Sequence, residues 1–213
     1  MMSNPSILIK LLVVQCLAVL CVAKDFDFFY FVQQSCTVVE PEFQGLQLHC
    51  PGLLVQFKTN QISDLASRLE KDWPTLACPS GDGLKFWGHE WNKHGTCAES
   101  VFDQHSYFQT ALDLKNKANL LQALTTADIR PNGKFYHLES IKEAIRETVG
   151  VTPYIECNVD TSGNHQLYQV YMCVDSSGSN FIKCPVLPHS HPCGSKIEFP
   201  SFSDNSNSKN DEL

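Results

Sequence analysis

Cysteine content sets the strongest limit on how this chain can fold. Of its ten cysteines, Cys16 and Cys21 lie in an apolar N-terminal run over residues 7–23. That run carries one embedded lysine and ends in a small residue, Ala23, which is typical of a cleaved signal peptide. Its removal leaves eight cysteines (ten minus two), an even number that suits disulfide pairing in an oxidising compartment. A retained membrane anchor is the alternative, but the run is shorter than the roughly 20 clean apolar residues that span a bilayer.

The remaining chain is long enough for one domain. A hydrophobic share of 43% in 213 residues suffices for a single core, since chains of this length fold as one or at most two domains. The sequence has no internal repeat and no low-complexity linker. We expect a signal peptide at residues 1–23, one domain at residues 24–202 and a polar tail at residues 203–213.

Periodicity predicts both strands and helices. Aromatic residues at 25–32 and alternation at 168–174, with Tyr168, Val170 and Met172 on one side, predict strands. Residues 154–157 are expected to pair with the second strand across a turn at 160–164. Apolar residues at helical spacing predict three helices: residues 62–71, 106–124 and 138–149. An α+β domain with a mainly antiparallel sheet and flanking helices follows.

One stretch, FWGHEWNKHGTC at residues 86–97, concentrates proton-handling side chains. Residues of a helix advance by about 100° each, which brings four of them within an arc of about 140°: His89, Glu90, Lys93 and His94. Two imidazoles, a carboxylate and an ammonium can accept a proton, donate one and neutralise an anion, as phosphoryl or acyl transfer requires. A solvated surface helix is the alternative. The interleaved Trp87 and Trp91 argue against simple exposure.

The spacing of the two histidines argues against a zinc site. In the metalloprotease helix, two histidines lie four residues apart and point at one ion. His89 and His94 lie five apart, which separates them by about 140° around the helix axis instead of about 40°. We therefore expect no metal and no cofactor.

The same stretch closely resembles the second active-site segment of the ribonuclease T2 family. The resemblance covers nearly all of residues 25–202 and implies the ribonuclease T2-like fold, disulfide-stabilised, as in the plant S-like ribonucleases. Four further segments carry it: FDFFYFVQQ at 26–34, WPTLACPS at 73–80, YQVYMCVD at 168–175 and CGSKIEFP at 193–200.

One segment departs from the family pattern. Members carry a first active-site segment there, with a histidine in an Ile/Leu-His-Gly-Leu-Trp-Pro run, whereas residues 35–59 read SCTVVEPEFQGLQLHCPGLLVQFKT. His49 is the only histidine of this segment, and its neighbours share little with the family run. We interpret His49 as a chance occupant, with a substitute acid as the alternative. A wrongly predicted exon boundary over residues 35–59 is another explanation.

The resemblance implies metal-free cleavage of single-stranded RNA through a 2′,3′-cyclic phosphate. The roles of the matching family residues make His94 the general base for the 2′-hydroxyl and His89 a contact to the phosphate. Glu90 and Lys93 stabilise the pentacoordinate phosphorane. The histidine that protonates the leaving 5′-oxygen belongs to the missing segment, and loss of a general acid costs about 10²–10⁴-fold in rate. We expect weak or lost activity; a silent relative that acts as a storage or binding protein in the secretory pathway is the alternative.

The resemblance also suggests a disulfide pattern. It pairs Cys157 with Cys193 and Cys173 with Cys184, and by position it pairs Cys50 with Cys97 and Cys36 with Cys78. If Cys36 and Cys50 fail to reach their partners, Cys97 is left free beside the active-site helix.

Charge and the C-terminal residues bear on partners and compartment. A net charge of −7 is unlike that of a nonspecific polyanion binder, which is normally basic. RNA is therefore expected to be a transient substrate of a monomer, held at a local site by histidines that protonate at mildly acidic pH. The last residues, NDEL at 210–213, resemble an endoplasmic-reticulum retrieval signal, which makes a retrieval receptor a candidate partner. We expect an extracellular, vacuolar or endoplasmic-reticulum location.

Overall fold

The computed structural model describes residues 27–34, 55–75, 82–188 and 193–201, and the backbone of residues 42–47. The predicted signal peptide, the polar tail and His49 lie outside these ranges. The strands are β1 Phe28–Gln34, β2 Glu42–Gln47, β3 Lys134–His137, β4 Tyr154–Val159, β5 His165–Asp175, β6 Phe181–Ile182 and β7 Lys196–Phe199. The α-helices are α1 Ala66–Asp72, α2 Gly83–Lys93, α3 Gln104–Lys117, α4 Leu120–Thr126 and α5 Leu138–Val149.

The strands form one sheet around the long strand β5. The order is β2-β1-β5-β7-β3, and β4 and β6 also pair with β5. Only the β5–β7 pairing is parallel among the described strands. The predicted α+β architecture with a mainly antiparallel sheet and flanking helices is confirmed.

The predicted hairpin between β4 and β5 is confirmed. The Asp160 carboxylate accepts hydrogen bonds from the backbone N–H groups of Ser162 and Asn164, both at 2.8 Å, and Gly163 takes a positive φ of 83°. A register shift near Glu156 leaves Tyr168 opposite no residue of β4. Because of this bulge, the buried face of β5 continues through Leu167 instead of Tyr168.

Two of the predicted helices differ from expectation in their bounds. The helix expected at 62–71 begins only at Ala66, after a 3-10 turn at Thr59–Ile62. The helix expected at 106–124 is two helices, because Ala118 has φ −106° and ψ 58°. Asn119 then caps α4 by accepting a hydrogen bond from the Gln122 N–H at 3.1 Å. The helix at 138–149 is confirmed as α5, and the strand expected at 25–32 is β1 at Phe28–Gln34.

An aromatic cluster joins α2 and α3 to the end of α1. Trp91 and Tyr107 meet edge to face with ring centroids 5.6 Å apart, and Tyr107 meets Phe108 at 5.2 Å. Phe108 also contacts Trp73 at 5.5 Å. All four rings are buried, and such pairs contribute about 0.5–1.5 kcal/mol each beyond the area they bury. The cluster holds α2 in a fixed place relative to α3.

Both disulfides predicted in the C-terminal half are confirmed, Cys157–Cys193 and Cys173–Cys184. Cys97 is disulfide-bonded as well, so the alternative of a free Cys97 is wrong. The other predicted partners, Cys36, Cys50 and Cys78, lie outside the described residues. Within the described ranges, no helix is long and apolar enough to cross a membrane.

Candidate active site

Helix α2 carries three of the four predicted site residues and ends just before the fourth, His94. Asp82 caps its start by accepting a hydrogen bond from the Lys85 N–H at 3.3 Å. The helix ends at Lys93, and His94 leaves the helical conformation with φ −123° and ψ −44° while its N–H still donates to the Glu90 carbonyl at 2.9 Å. A 3-10 turn follows at Gly95–Ala98. The helix prediction is therefore confirmed up to Lys93.

The helix ends there because Gly95 lies against Trp91. A Cβ atom at residue 95 would lie 2.2 Å from Trp91 Cε3, so only glycine allows the backbone to approach the buried indole this closely. The tryptophans that interrupt the polar pattern are buried as expected, since Trp87 is 2% exposed and Trp91 1%. The solvated-helix alternative is thus wrong for this face of α2.

The four predicted side chains divide between two environments. Glu90 is 8% exposed and His94 is 6% exposed, and they lie one turn apart on the inner side of α2. His89 and Lys93 are exposed and also lie one turn apart. The arrangement gives a buried pair of an acid and an imidazole beside an open pair of an imidazole and an ammonium.

Burial changes the acidity of Glu90. Loss of hydration raises the pKa of its carboxyl group to about 7, against a smaller opposing effect from the Lys93 ammonium. Its Oε2 atom is buried without a hydrogen-bond partner. The buried Tyr107 phenol is near enough that the Glu90 charge adds to the effect of burial in raising the Tyr107 pKa. Below pH 7 the neutral acid is therefore the favoured form of Glu90.

An open groove of about 640 Å³ runs along the exposed side of α2. One wall is a stripe of the helix that contains Lys85, Gly88, His89 and Asn92. Residues 55–57 form the other wall. An ammonium, an imidazole and a carboxamide thus share one groove, which suits an anionic ligand with polar edges.

Lys85 and Asn92 are groove residues that the sequence analysis missed. They precede and follow His89 by four and three residues, which is the spacing of one helix face. Their polar side chains at this spacing from His89 are the signal in the sequence that marks both residues. The arc of four residues predicted from the sequence lies on the other side of His89.

A second open groove, of about 690 Å³, lies beside α5 and β4. It contains none of the predicted site residues, and two of its cations already have acidic partners. Lys142 is paired with Glu139 at 2.8 Å, and Arg146 is paired with Glu143. No group of three or more His, Cys, Asp or Glu residues suited to a metal ion occurs in the described part of the chain. The candidate site consists of the α2 groove together with Glu90, Lys93 and His94.

Known proteins resemble this chain over most of its length. The sequence model of the ribonuclease T2 family matches residues 26–184. Intracellular ribonuclease LX of Solanum lycopersicum is 56% identical over 235 positions, covering 96% of this chain and 97% of the relative. Extracellular ribonuclease LE of the same species is 50% identical, and the match covers 92% of this chain and 96% of the relative.

A solved structure supports the same relationship. The crystal structure of RNase NT in complex with 5′-AMP has a TM-score of 0.76 and 49% sequence identity. The match covers 84% of this chain and all of the other. The matched region of the family includes α2 and with it His89, Glu90, Lys93 and His94.

Proposed function

Because the chain belongs to the ribonuclease T2 family, we propose that it is an endoribonuclease that cleaves single-stranded RNA and releases 2′,3′-cyclic phosphates. One observation carries the proposal: a buried carboxyl group with a raised pKa lies one helical turn from a buried imidazole. Acids and bases with pKa values near the working pH are those that general acid–base catalysis needs. The complex of RNase NT with 5′-AMP supports a nucleotide as a ligand of this chain.

In the proposed reaction, His94 is the general base. Its imidazole takes the proton of the ribose 2′-hydroxyl while the 2′-oxygen forms a bond to the adjacent phosphorus. The bond from phosphorus to the 5′-oxygen breaks, and the 5′-oxygen takes up a proton. Burial of His94, at 6% exposure, limits the rotamers of the imidazole and so favours one geometry for proton transfer.

Glu90 and Lys93 are proposed to stabilise the pentacoordinate phosphorane. An ionised carboxylate would repel its negative charge, but a neutral acid can donate a hydrogen bond to a non-bridging oxygen. The pKa of about 7 keeps Glu90 in that neutral form in a mildly acidic compartment. Exposed Lys93 supplies positive charge, and exposed His89, which lies in the groove, contacts the phosphate when protonated.

The proton for the 5′-oxygen is the weak point of the proposed mechanism. The family histidine for this step belongs to a segment that residues 35–59 replace. Water, or His49 as a substitute, is left to supply the proton, so we propose an activity reduced by about 10²–10⁴-fold. A catalytically silent relative that binds or is stored is the competing proposal.

The proposed location is the secretory pathway, in the extracellular space, the vacuole or the endoplasmic-reticulum lumen. The apolar run at residues 7–23 and the two disulfides support it, because structural disulfides persist in oxidising compartments. The mildly acidic pH of some of these compartments suits a Glu90 carboxyl with a pKa of about 7.

The test compares cleavage of yeast RNA at pH 5 and pH 7 by the wild type, His94→Ala and His49→Ala. His105→Ala is the matched control, because His105 is exposed and pairs with Asp64 at 2.9 Å. We expect slow wild-type cleavage that His94→Ala abolishes and that His105→Ala and His49→Ala leave intact. If His49→Ala loses cleavage activity and His105→Ala keeps it, His49 is the acid. A wild type no faster than His94→Ala identifies a silent relative.

A further inference from the structure

The wall of the groove opposite α2 is an irregular segment, residues 55–58. It belongs to no helix or strand, and at its end the Lys58 carbonyl accepts a hydrogen bond from the Gln61 N–H at 3.0 Å, where the 3-10 turn begins. Three of its residues, Val55, Gln56 and Phe57, line the groove across from His89. The shape of the groove therefore depends on whatever fixes this segment.

Gln104 fixes the backbone of Lys58 on both sides of the residue. The Lys58 N–H donates to Gln104 Oε1 at 2.8 Å, and Gln104 Nε2 donates to the Lys58 carbonyl at 2.8 Å. The Gln104 side chain thus satisfies a donor and an acceptor of the same residue, as a neighbouring strand would. Gln104 is the first residue of α3 and is only 3% exposed, whereas Lys58 is exposed, so these bonds are partly shielded from water.

Two further contacts complete the attachment of the segment. Trp91 Nε1 donates to the Val55 carbonyl at 3.0 Å, which ties the other end of the segment to α2. Phe57 packs between the helices: a Cβ atom at Gly88 would lie 3.2 Å from its ring, and its centroid is 6.3 Å from that of Phe108. The segment is therefore held at Val55 by α2 and at Lys58 by α3.

We propose that Gln104 is a positioning residue for the ligand groove, acting through Lys58 on Gln56 and Phe57 to set the distance between this wall and His89. Gln104 lines neither described groove, so its effect on a ligand is indirect. The inference rests on the proposed function, because it assumes that the groove beside His89 holds the nucleotide. It adds a residue of α3 to a site otherwise built from α2 and its flanking segment.

The carboxamide is the group that this role requires. Methionine has nearly the same length and volume as glutamine but replaces neither hydrogen bond, so the Lys58 N–H loses this acceptor, while the Lys58 carbonyl keeps the Gln61 N–H as a donor. Glutamate keeps the acceptor for the Lys58 N–H but loses the donor for the Lys58 carbonyl. The two variants therefore remove both bonds and one bond, respectively.

The experiment measures binding of 5′-AMP by calorimetry and the KM and kcat for the dinucleotide ApU at pH 6. Gln104→Met is expected to raise the dissociation constant and KM about tenfold and to change kcat less than about twofold, because the wall contributes equally to ground-state and transition-state binding. Gln104→Glu is expected to fall between wild type and Gln104→Met. Gln109→Met is the control, since Gln109 lies on the outside of the same helix and its carboxamide donates to the Asp113 carboxylate.

Hydrogen exchange of the Lys58 amide checks that the hydrogen bonds were lost. It is expected to speed up in Gln104→Met and not in Gln109→Met. If Gln104→Met does not fold, the same comparison is made with Gln104→Glu.

Two negative results have different meanings. Faster Lys58 exchange with an unchanged 5′-AMP affinity and KM overturns the positioning role and leaves the proposed function intact. A wild type that neither binds 5′-AMP nor cleaves ApU overturns the proposed function itself.

Discussion

Trp91 and Gly95 are in direct contact at the end of α2, where a Cβ atom on residue 95 would lie 2.2 Å from Trp91 Cε3. His94 lies between them in sequence, at the point where the helix stops. The contact therefore fixes both the end of the helix and the position of the proposed general base.

Gly95→Ala is expected to lower the free energy of unfolding by about 1–3 kcal/mol, because the methyl group must displace a fully buried indole. Urea unfolding measures this. Gly88→Ala is the matched control: its methyl group meets Phe57 at 3.2 Å on a half-buried ring that can give way. Alanine also favours a helix interior over glycine by about 1 kcal/mol, so Gly88→Ala is expected to be neutral or stabilising. Equal stability of Gly95→Ala and wild type would count against the contact.

The pKa of Glu90 makes the stability of the fold depend on pH. Because the folded-state pKa is raised from 4.5 to about 7, the folded protein holds a proton that the unfolded chain releases between these values. Stability therefore falls as pH rises through this window, by about 3 kcal/mol in total. The free energy of unfolding of Glu90→Gln is not expected to fall in this way, because glutamine does not titrate.

Urea unfolding of wild type and Glu90→Gln at pH 4, 6 and 8 isolates the effect, since every other titrating group is common to both proteins. We expect the difference in free energy of unfolding to move in favour of Glu90→Gln as pH rises. A constant difference would show that Glu90 titrates at its ordinary pKa.

Lys85 is expected to attract RNA to the groove. It is exposed and lies one turn before His89 on the groove wall, so Lys85→Ala removes a positive charge from the groove and leaves the proposed acid–base groups in place. KM for RNA is expected to rise about three- to fivefold, less so at high salt. Lys71→Ala is the control, as Lys71 is an exposed lysine in the last turn of α1. Equal effects of both variants would indicate nonspecific charge attraction.

The two described disulfides are expected to differ in their contribution to stability. Cys157–Cys193 spans 36 residues and Cys173–Cys184 spans 11. In the chain-entropy account, the longer loop contributes about 1 kcal/mol more. Replacing each pair by alanines and comparing the free energies of unfolding tests this. A larger loss from the shorter loop would point to packing around Cys173, which is fully buried.

The sequence predicted the main features of α2 because they are local. Buried tryptophans alternate with polar residues at helical spacing, and this pattern alone indicates a helix with one buried face. The end of the helix at Lys93 could not be predicted in the same way. It depends on how closely Gly95 approaches the Trp91 ring, which is a consequence of packing.

The break between α3 and α4 was missed for a related reason. Apolar residues continue at helical spacing through Ala118 and Leu120, and only the capping side chain of Asn119 marks the interruption. The groove was not predicted from the sequence. Lys85 and Asn92 share a helix stripe with His89 that a local pattern can indicate, but the wall at 55–57 depends on long-range bonds from Gln104 and Trp91 that no local pattern reveals.

The central claim, that this chain cleaves RNA by attack of the ribose 2′-hydroxyl with His94 as base, is tested most directly by the products of ApU. The same incubation is made with the analogue whose adenosine is 2′-deoxy, and with His94→Ala on ApU. We predict slow release of uridine and adenosine 2′,3′-cyclic phosphate from ApU by wild type only. No release from ApU, equal release by His94→Ala, or cleavage of the 2′-deoxy analogue would contradict the account.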